Sequence, residues 1–299
     1  MKQDSQRNAY KNSLKIIDDV IELHVRKEAV MHAFKGIDYV NKGEIDKAIA
    51  EYTKAIEIDD QFAGAYNNRG SAYQKKGEYD LAIVDHTKAL KIDPDFAAAY
   101  NNRAGCYQKK GKYDLSIADL TKAIELDSEF SDAYLNRGSV YDDKGEYVRA
   151  IVDYTWAIDI DPKLTAAYNN RGISYSNNHQ YGKAINDFNK ALEMDPMNSA
   201  TFYNRAISYS NNSQYYRAIS DYRRATEIDP DFAGAYDNMG YVYMVKLGET
   251  MKGCREFKTA CRLGKCGNYN IVQVRGLCPS RRAARPPVAV RDNAGAAAP

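Results

Sequence analysis

The chain has 299 residues, 44% of them hydrophobic, which is enough apolar surface for a large core. Lys and Arg number 42 against 40 Asp and Glu, so the net charge of +2 gives no bulk attraction for nucleic acid or an anionic membrane. No stretch approaches the roughly 20 consecutive apolar residues of a membrane helix, and Met1 to Ala9 is polar, without an apolar signal-peptide core. A cytoplasmic location is therefore expected.

Residues 1–12 are polar. Leu14, Ile16, Ile17, Val20, Ile21 and Leu23 then recur at helical spacing. Residues 1–28 read as a polar start followed by a helix that caps an open end, or alternatively a dimerisation helix. From Ala29 onward a 34-residue period takes over. Its units are 29–62, 63–96, 97–130, 131–164, 165–198, 199–232 and 233–266. Each places a Tyr in its first half: Tyr39, Tyr73, Tyr107, Tyr141, Tyr175, Tyr209 and Tyr243. Each places an Ala in its second: Ala55, Ala89, Ala123, Ala157, Ala191, Ala225 and Ala260. Small residues let two helices approach, and aromatics fill the gaps beside them. A Tyr ladder can also stack bases, but the same face carries Gly and Ala, which favours packing.

Gly43, Gly77, Gly111, Gly145 and Gly248 stand where a first helix must end. His179 and Ser213 hold that place in units five and six. Pro94, Pro162, Pro196 and Pro230 stop the second helices, and Asp95 and Asp231 are expected N-caps for the next unit. The seventh unit departs from the pattern. It has one extra residue between Tyr243 and Gly248, Gly253 in place of Ala, and Met239 in place of Arg. Residues 267–278 are a candidate C-terminal cap. Residues 279–299 are Arg-, Ala- and Pro-rich and are expected to be a disordered tail.

The pattern of aromatic, small and Tyr in the first helix, then small, aromatic and small in the second, then Pro, resembles the tetratricopeptide repeat (TPR) family. The resemblance implies an all-α, right-handed superhelical solenoid of seven helix-turn-helix units with capping helices. It also implies a concave face lined by the first helices.

Signs of catalysis are absent from the sequence. His24, His32, His86 and His179 are scattered, and no phosphate loop, dinucleotide fingerprint or nucleophile elbow occurs. No cofactor and no metal are expected. Cys254, Cys261, Cys266 and Cys278 cluster near the end without Cys-x-x-Cys spacing. Reduced packing thiols are the leading reading, ahead of a disulfide or a metal site. A disulfide would argue for an oxidising compartment.

Two recurrences exceed scaffold needs. Arg69, Arg103, Arg137, Arg171 and Arg205 each precede an Asp by sixteen residues: Asp85, Asp119, Asp153, Asp187 and Asp221. These are expected to be structural ion pairs, with an anion-binding Arg row as the alternative. The first unit keeps both signs with Lys35 and Glu51. Asn68, Asn102, Asn136, Asn170, Asn204 and Asn238 share one register in mid-helix, where Asn is a mediocre choice. This register is similar to the asparagine ladder in the TPR region of O-linked N-acetylglucosamine transferases, which implies binding of a peptide backbone. Simple duplication of a tolerated Asn is the competing reading. Lys75, Lys109, Asp142 and Asp143 flank the expected groove. The expected function is a non-catalytic scaffold that binds a protein or peptide, with no nucleic-acid or membrane partner. Its alternatives are a recruiting portion of a larger enzyme and a scaffold acting through its convex face. The oligomeric state is left open.

Overall fold

A computed structural model describes residues 26–278. The expected N-terminal capping helix over residues 14–23 and the tail at 279–299 lie outside the described residues. Among the described residues the chain is all helix. α1 is seen over 26–41. Then follow α2 (Ile45–Ile58), α3 (Ala63–Lys75), α4 (Tyr79–Ile92), α5 (Ala97–Lys109), α6 (Tyr113–Leu126), α7 (Ser131–Asp143) and α8 (Tyr147–Ile160). α9 (Thr165–Asn177), α10 (Tyr181–Met194), α11 (Ser199–Asn211), α12 (Tyr215–Ile228), α13 (Ala233–Tyr241), α14 (Thr250–Arg262) and α15 (Gly267–Val274) complete the order. The chain forms a helical solenoid with two compact units, one up to Ser174 and one from Tyr175.

In the first compact unit, each first helix folds back on the second helix of its own repeat, and that second helix packs on the first helix of the next. The second helices insert one large side chain per repeat: Tyr52, His86, Leu120 and Tyr154, all essentially inaccessible. Each side chain of this size contributes about 1.5–3 kcal/mol when buried. The facing first helix must then be thin. A Cβ on Gly138 would lie 2.7 Å from the Tyr154 ring, and one on Gly70 would lie 2.8 Å from His86. Where the smaller Leu120 is used, the facing residue is Ala104. The landmark tyrosines of the first helices are only partly buried in this unit. Arg149, for example, lies over the Tyr141 ring at 5.6 Å.

Gly43, Gly77, Gly111 and Gly145 end their first helices with φ between 69° and 79°, a left-handed conformation that favours glycine. In the second compact unit His179 (φ 59°) and Ser213 (φ 60°) take the same conformation without being glycines. The expected N-caps differ from those observed. Phe96 and Phe232 occupy the cap positions of α5 and α13 and offer no side-chain bond. Asp95 and Asp231 instead donate their own amides to Asp93 and Asp229 at 3.1 Å. Those aspartates follow the second helix and form the turn with their side chains.

The second compact unit buries Phe188, Tyr222 and Phe257 in the same way. Its last repeat absorbs the extra residue as a π-helical turn, Val242–Lys246, directly after α13. This widened turn leaves no room on α14. A Cβ on Gly253 would stand 2.7 Å from Met244 Cβ and 2.9 Å from the Gly240 carbonyl. The reading of the four clustered cysteines as reduced thiols is corrected. Cys254 is bonded to Cys278 and Cys261 to Cys266. The first bond ties α14 to the segment beyond α15, where Phe257 and Val272 form a small core with the two sulfurs. Cys106 is free and buried, and burial pushes its thiol up to about 11.

Candidate functional site

The first helices carry two polar systems side by side. In the first, Arg69 grips Asp85 with two bonds, Nε to Oδ2 at 2.7 Å and Nη2 to Oδ1 at 2.8 Å. Arg103 with Asp119, Arg137 with Asp153, and Arg205 with Asp221 repeat this fork at 2.7–2.9 Å. The remaining Nη1 reaches backward to the previous repeat, donating to Thr53, Thr87 and Thr121 at 3.1 Å and to Asn189 at 2.7 Å. Arg171 makes the same backward bond to Thr155 at 3.0 Å, and Asp187 is buried in α10. Each guanidinium thus joins helices of two successive repeats. The backward acceptors were not singled out from the sequence, although Thr53, Thr87, Thr121 and Thr155 recur with the period. In the first repeat the expected match of Lys35 with Glu51 does not form. Glu51 takes His32 at 2.5 Å and Lys54 at 2.7 Å, and Lys35 is exposed.

The second system contains the asparagines. All six, Asn68, Asn102, Asn136, Asn170, Asn204 and Asn238, are half-buried. Asn102 Nδ2 donates to Asn67 Oδ1 at 3.1 Å and to Ser71 Oγ at 3.3 Å. Asn136 Nδ2 donates to Asn101 Oδ1 at 2.9 Å, and Asn238 Nδ2 to the Tyr203 hydroxyl at 3.0 Å. The residue one place before the ladder in the preceding repeat is therefore its partner, a role not read from the sequence. Proton bookkeeping fixes the direction at Asn102. The Ser71 hydroxyl gives its single proton to the Asn67 carbonyl at 3.0 Å, so towards Asn102 it can only accept. Both amide hydrogens of Asn102 are then engaged, and its free function is the Oδ1 acceptor. Asn67 Oδ1 also meets His86 Nδ1 at 3.0 Å, which must donate. Burial, and secondarily Arg103, depresses the His86 pKa to about 4, so the ring is neutral.

The ladder residues border recesses. Asn68 shares one of about 190 Å³ with Ile37, Tyr52, Ser71 and Lys75. In the second compact unit Asn238 shares one of about 200 Å³ with Ile207, Tyr222 and Tyr241. Lys109 is exposed at the end of α5, and Asp143 is exposed while accepting from Gln108 Nε2 at 2.7 Å. Asp142 is committed to the fold. Its carboxylate accepts from the Tyr154 hydroxyl at 2.9 Å and from Ser174 Oγ at 2.7 Å, and burial raises its pKa. Among the described residues no cluster of His, Cys, Asp and Glu could hold a metal, and no helix is long and apolar enough to cross a membrane.

Comparison with known proteins adds a family. The model described as "Tetratricopeptide repeat" matches residues 63–96, 97–130, 131–164, 165–198 and 199–232, and that described as "TPR repeat" matches 36–77. No curated protein matches the chain. Among solved structures it is similar to YrrB, described as a TPR protein with an unusual peptide-binding site, at 26% identity and TM-score 0.53. That match covers 62% of this chain and 95% of YrrB. A tetratricopeptide repeat protein from Parabacteroides merdae ATCC 43184 matches at 20% identity and TM-score 0.61, covering 84% of this chain and 97% of that one. The Cut9–Hcn1 hetero-tetramer of APC/C matches at 22% identity and TM-score 0.64, with 78% and 46% covered.

Proposed function

We propose, from the premise that this chain belongs to the tetratricopeptide repeat family, that it is a non-catalytic protein-interaction scaffold holding an extended peptide along the asparagine-bearing face of its first helices. The observation that carries this reading is the Asn102 network. The repeat uses the amide hydrogens of this side chain to join two units and leaves a carbonyl acceptor at the surface. At Asn102 the contact offered is therefore an acceptor for a peptide N–H. Packed helices lie about 8–10 Å apart, and an extended peptide advances about 3.3 Å per residue. One peptide N–H in roughly every three can thus meet a ladder residue, whatever its side chain. Lys75, beside Asn68 in its recess, and Lys109 favour an acidic residue of the ligand towards the early repeats. The peptide-binding site in the description of YrrB is consistent with this reading.

The two disulfides favour an oxidising compartment over the cytoplasmic location expected from the polar first residues. A thiol count on protein taken from freshly quenched cells tests this. Counted after unfolding, one thiol, that of Cys106, supports the oxidising compartment, and five place the chain in a reducing one. For the groove, peptides selected by display against the full chain are measured by calorimetry on wild type and on Asn102→Ala/Asn136→Ala/Asn170→Ala. Binding should weaken by about 0.5–1.5 kcal/mol per lost bond. Equal affinity for the folded triple variant would sink the groove reading.

A further inference from the structure

The outer face of α8 breaks the rule that the chain sets for itself. At the place of Trp156 the other five of the first six repeats carry Lys54, Lys88, Lys122, Lys190 and Arg224. At the place of Val148 the three preceding repeats carry Asp46, Asp80 and Asp114, which pair with Lys76, Lys110 and Lys144 at 2.5–2.8 Å. In α8 both charges are gone, and Val152 fills the step between them. These three side chains, at i, i+4 and i+8, are 65%, 51% and 54% exposed. Trp156 is the only tryptophan of the chain, and it is held in place by stacking on Tyr134 at 6.2 Å. A pre-positioned, exposed aromatic loses little freedom on binding.

We propose that this face docks on the same face of a second copy of the chain, with the two α8 helices antiparallel about a two-fold axis. The charges beside the stripe select that occupant. Arg149 and Asp159 are both exposed on α8. An antiparallel pair centred on Tyr154 sets Val152 against Trp156 of the second copy. The same register sets Arg149 against Asp159 of the second copy, and each contact occurs twice by symmetry. One register therefore satisfies both the apolar and the charged pairs. Arg149 is already steadied by Glu146 at 2.8 Å and by the Tyr141 ring. On α6, Lys122 and Glu125 are paired with each other at 3.5 Å. One helix per copy covers less than the roughly 800 Å² per partner of a stable complex, so the dimer is weak and depends on concentration. This inference does not rest on the peptide groove.

Sedimentation of the full, oxidised chain between about 10 µM and about 1 mM should show a reversible monomer–dimer equilibrium. Val148→Asp/Trp156→Lys installs residues that other repeats already carry. It should keep the wild-type thermal midpoint and raise the dimer Kd by at least about tenfold. Arg149→Asp alone should also weaken the dimer, and Arg149→Asp/Asp159→Arg should recover it. A wild type that stays monomeric at the highest concentration overturns the proposal and gives the stripe to another partner. A dimer that survives the stripe substitutions overturns it as well, and failure of the charge swap to recover binding overturns the antiparallel register.

Discussion

His86 stands where neighbouring second helices carry Tyr52, Leu120 and Tyr154. Its Nδ1 is used by Asn67, while its Nε2 is buried without a partner. Its pKa is lowered from 6.5 to about 4, mainly by burial. The unfolded chain therefore takes up this proton as pH falls below 6.5, and the folded chain resists until about 4. The stabilisation is complete above that window and is lost as pH falls through it. It amounts to about 2 kcal/mol between pH 7 and pH 5. His86→Phe, a residue that other repeats use at this place, should flatten that part of the stability curve measured by urea unfolding. An unchanged slope would show that the ring titrates normally. The Arg137–Asp153 fork is the second residue-scale case, because the Asp153 side chain is only 4% accessible. Arg137→Ala and Asp153→Ala should each cost about 3–5 kcal/mol by stranding the partner. The double variant should lose less than their sum. Strict additivity would mean that the fork contributes nothing as a pair.

At the scale of the element, each helix pair is set by how closely its two axes approach. Gly138 and Tyr154 form a lock in which the ring occupies the space a methyl would need. Gly138→Ala should destabilise by about 1–3 kcal/mol through overpacking. Adding Tyr154→Leu should recover part of that loss, since Ala104 and Leu120 already coexist one repeat earlier. A thermal melt of the single and double variants decides it. The short α15 depends on other means. It has eight residues and one buried side chain, Val272, and the Cys254–Cys278 bond closes a 24-residue separation around it. Cys254→Ser/Cys278→Ser should lower stability by about 3 kcal/mol. It should also raise amide exchange in α15 before that in α12. Equal protection in both variants would show that α15 docks without the bond.

At the scale of the molecule, the early repeats make neighbouring junctions chemically alike, and units contact only their neighbours. Deleting residues 97–130 would bring 131 after 96. Asn136 would then meet Asn67 in place of Asn101, Arg137 would meet Thr87 in place of Thr121, and Lys144 would meet Asp80 in place of Asp114. Every partner keeps its residue type. The shortened chain should fold with unchanged helicity per residue by circular dichroism and unfold cooperatively. A loss of helicity beyond the deleted share would mean that the junctions are not interchangeable.

The period, the helix class and the family are properties of spacing, and spacing is written in the chain. Tyr73 and Tyr107, Gly77 and Gly111, or Ala89 and Ala123 recur because each unit solves the same packing problem. The match of Arg69 with Asp85 is legible for the same reason, since both residues belong to one unit. What the period hides is the partner across the junction. Thr53 for Arg69 and Asn67 for Asn102 look like filler until the next helix is laid against them. The same holds for the polarity of Asn102, which depends on where the Ser71 proton goes. The irregular end was the least legible part. A single inserted residue can become a loop or a widened turn, and Gly253 has a reason only once α14 lies on that turn. Four cysteines permit several pairings, and proximity in the folded chain selected Cys254 with Cys278 and Cys261 with Cys266. Contacts within one repeat are local enough to read from sequence, whereas contacts between surfaces exist only after those surfaces have formed.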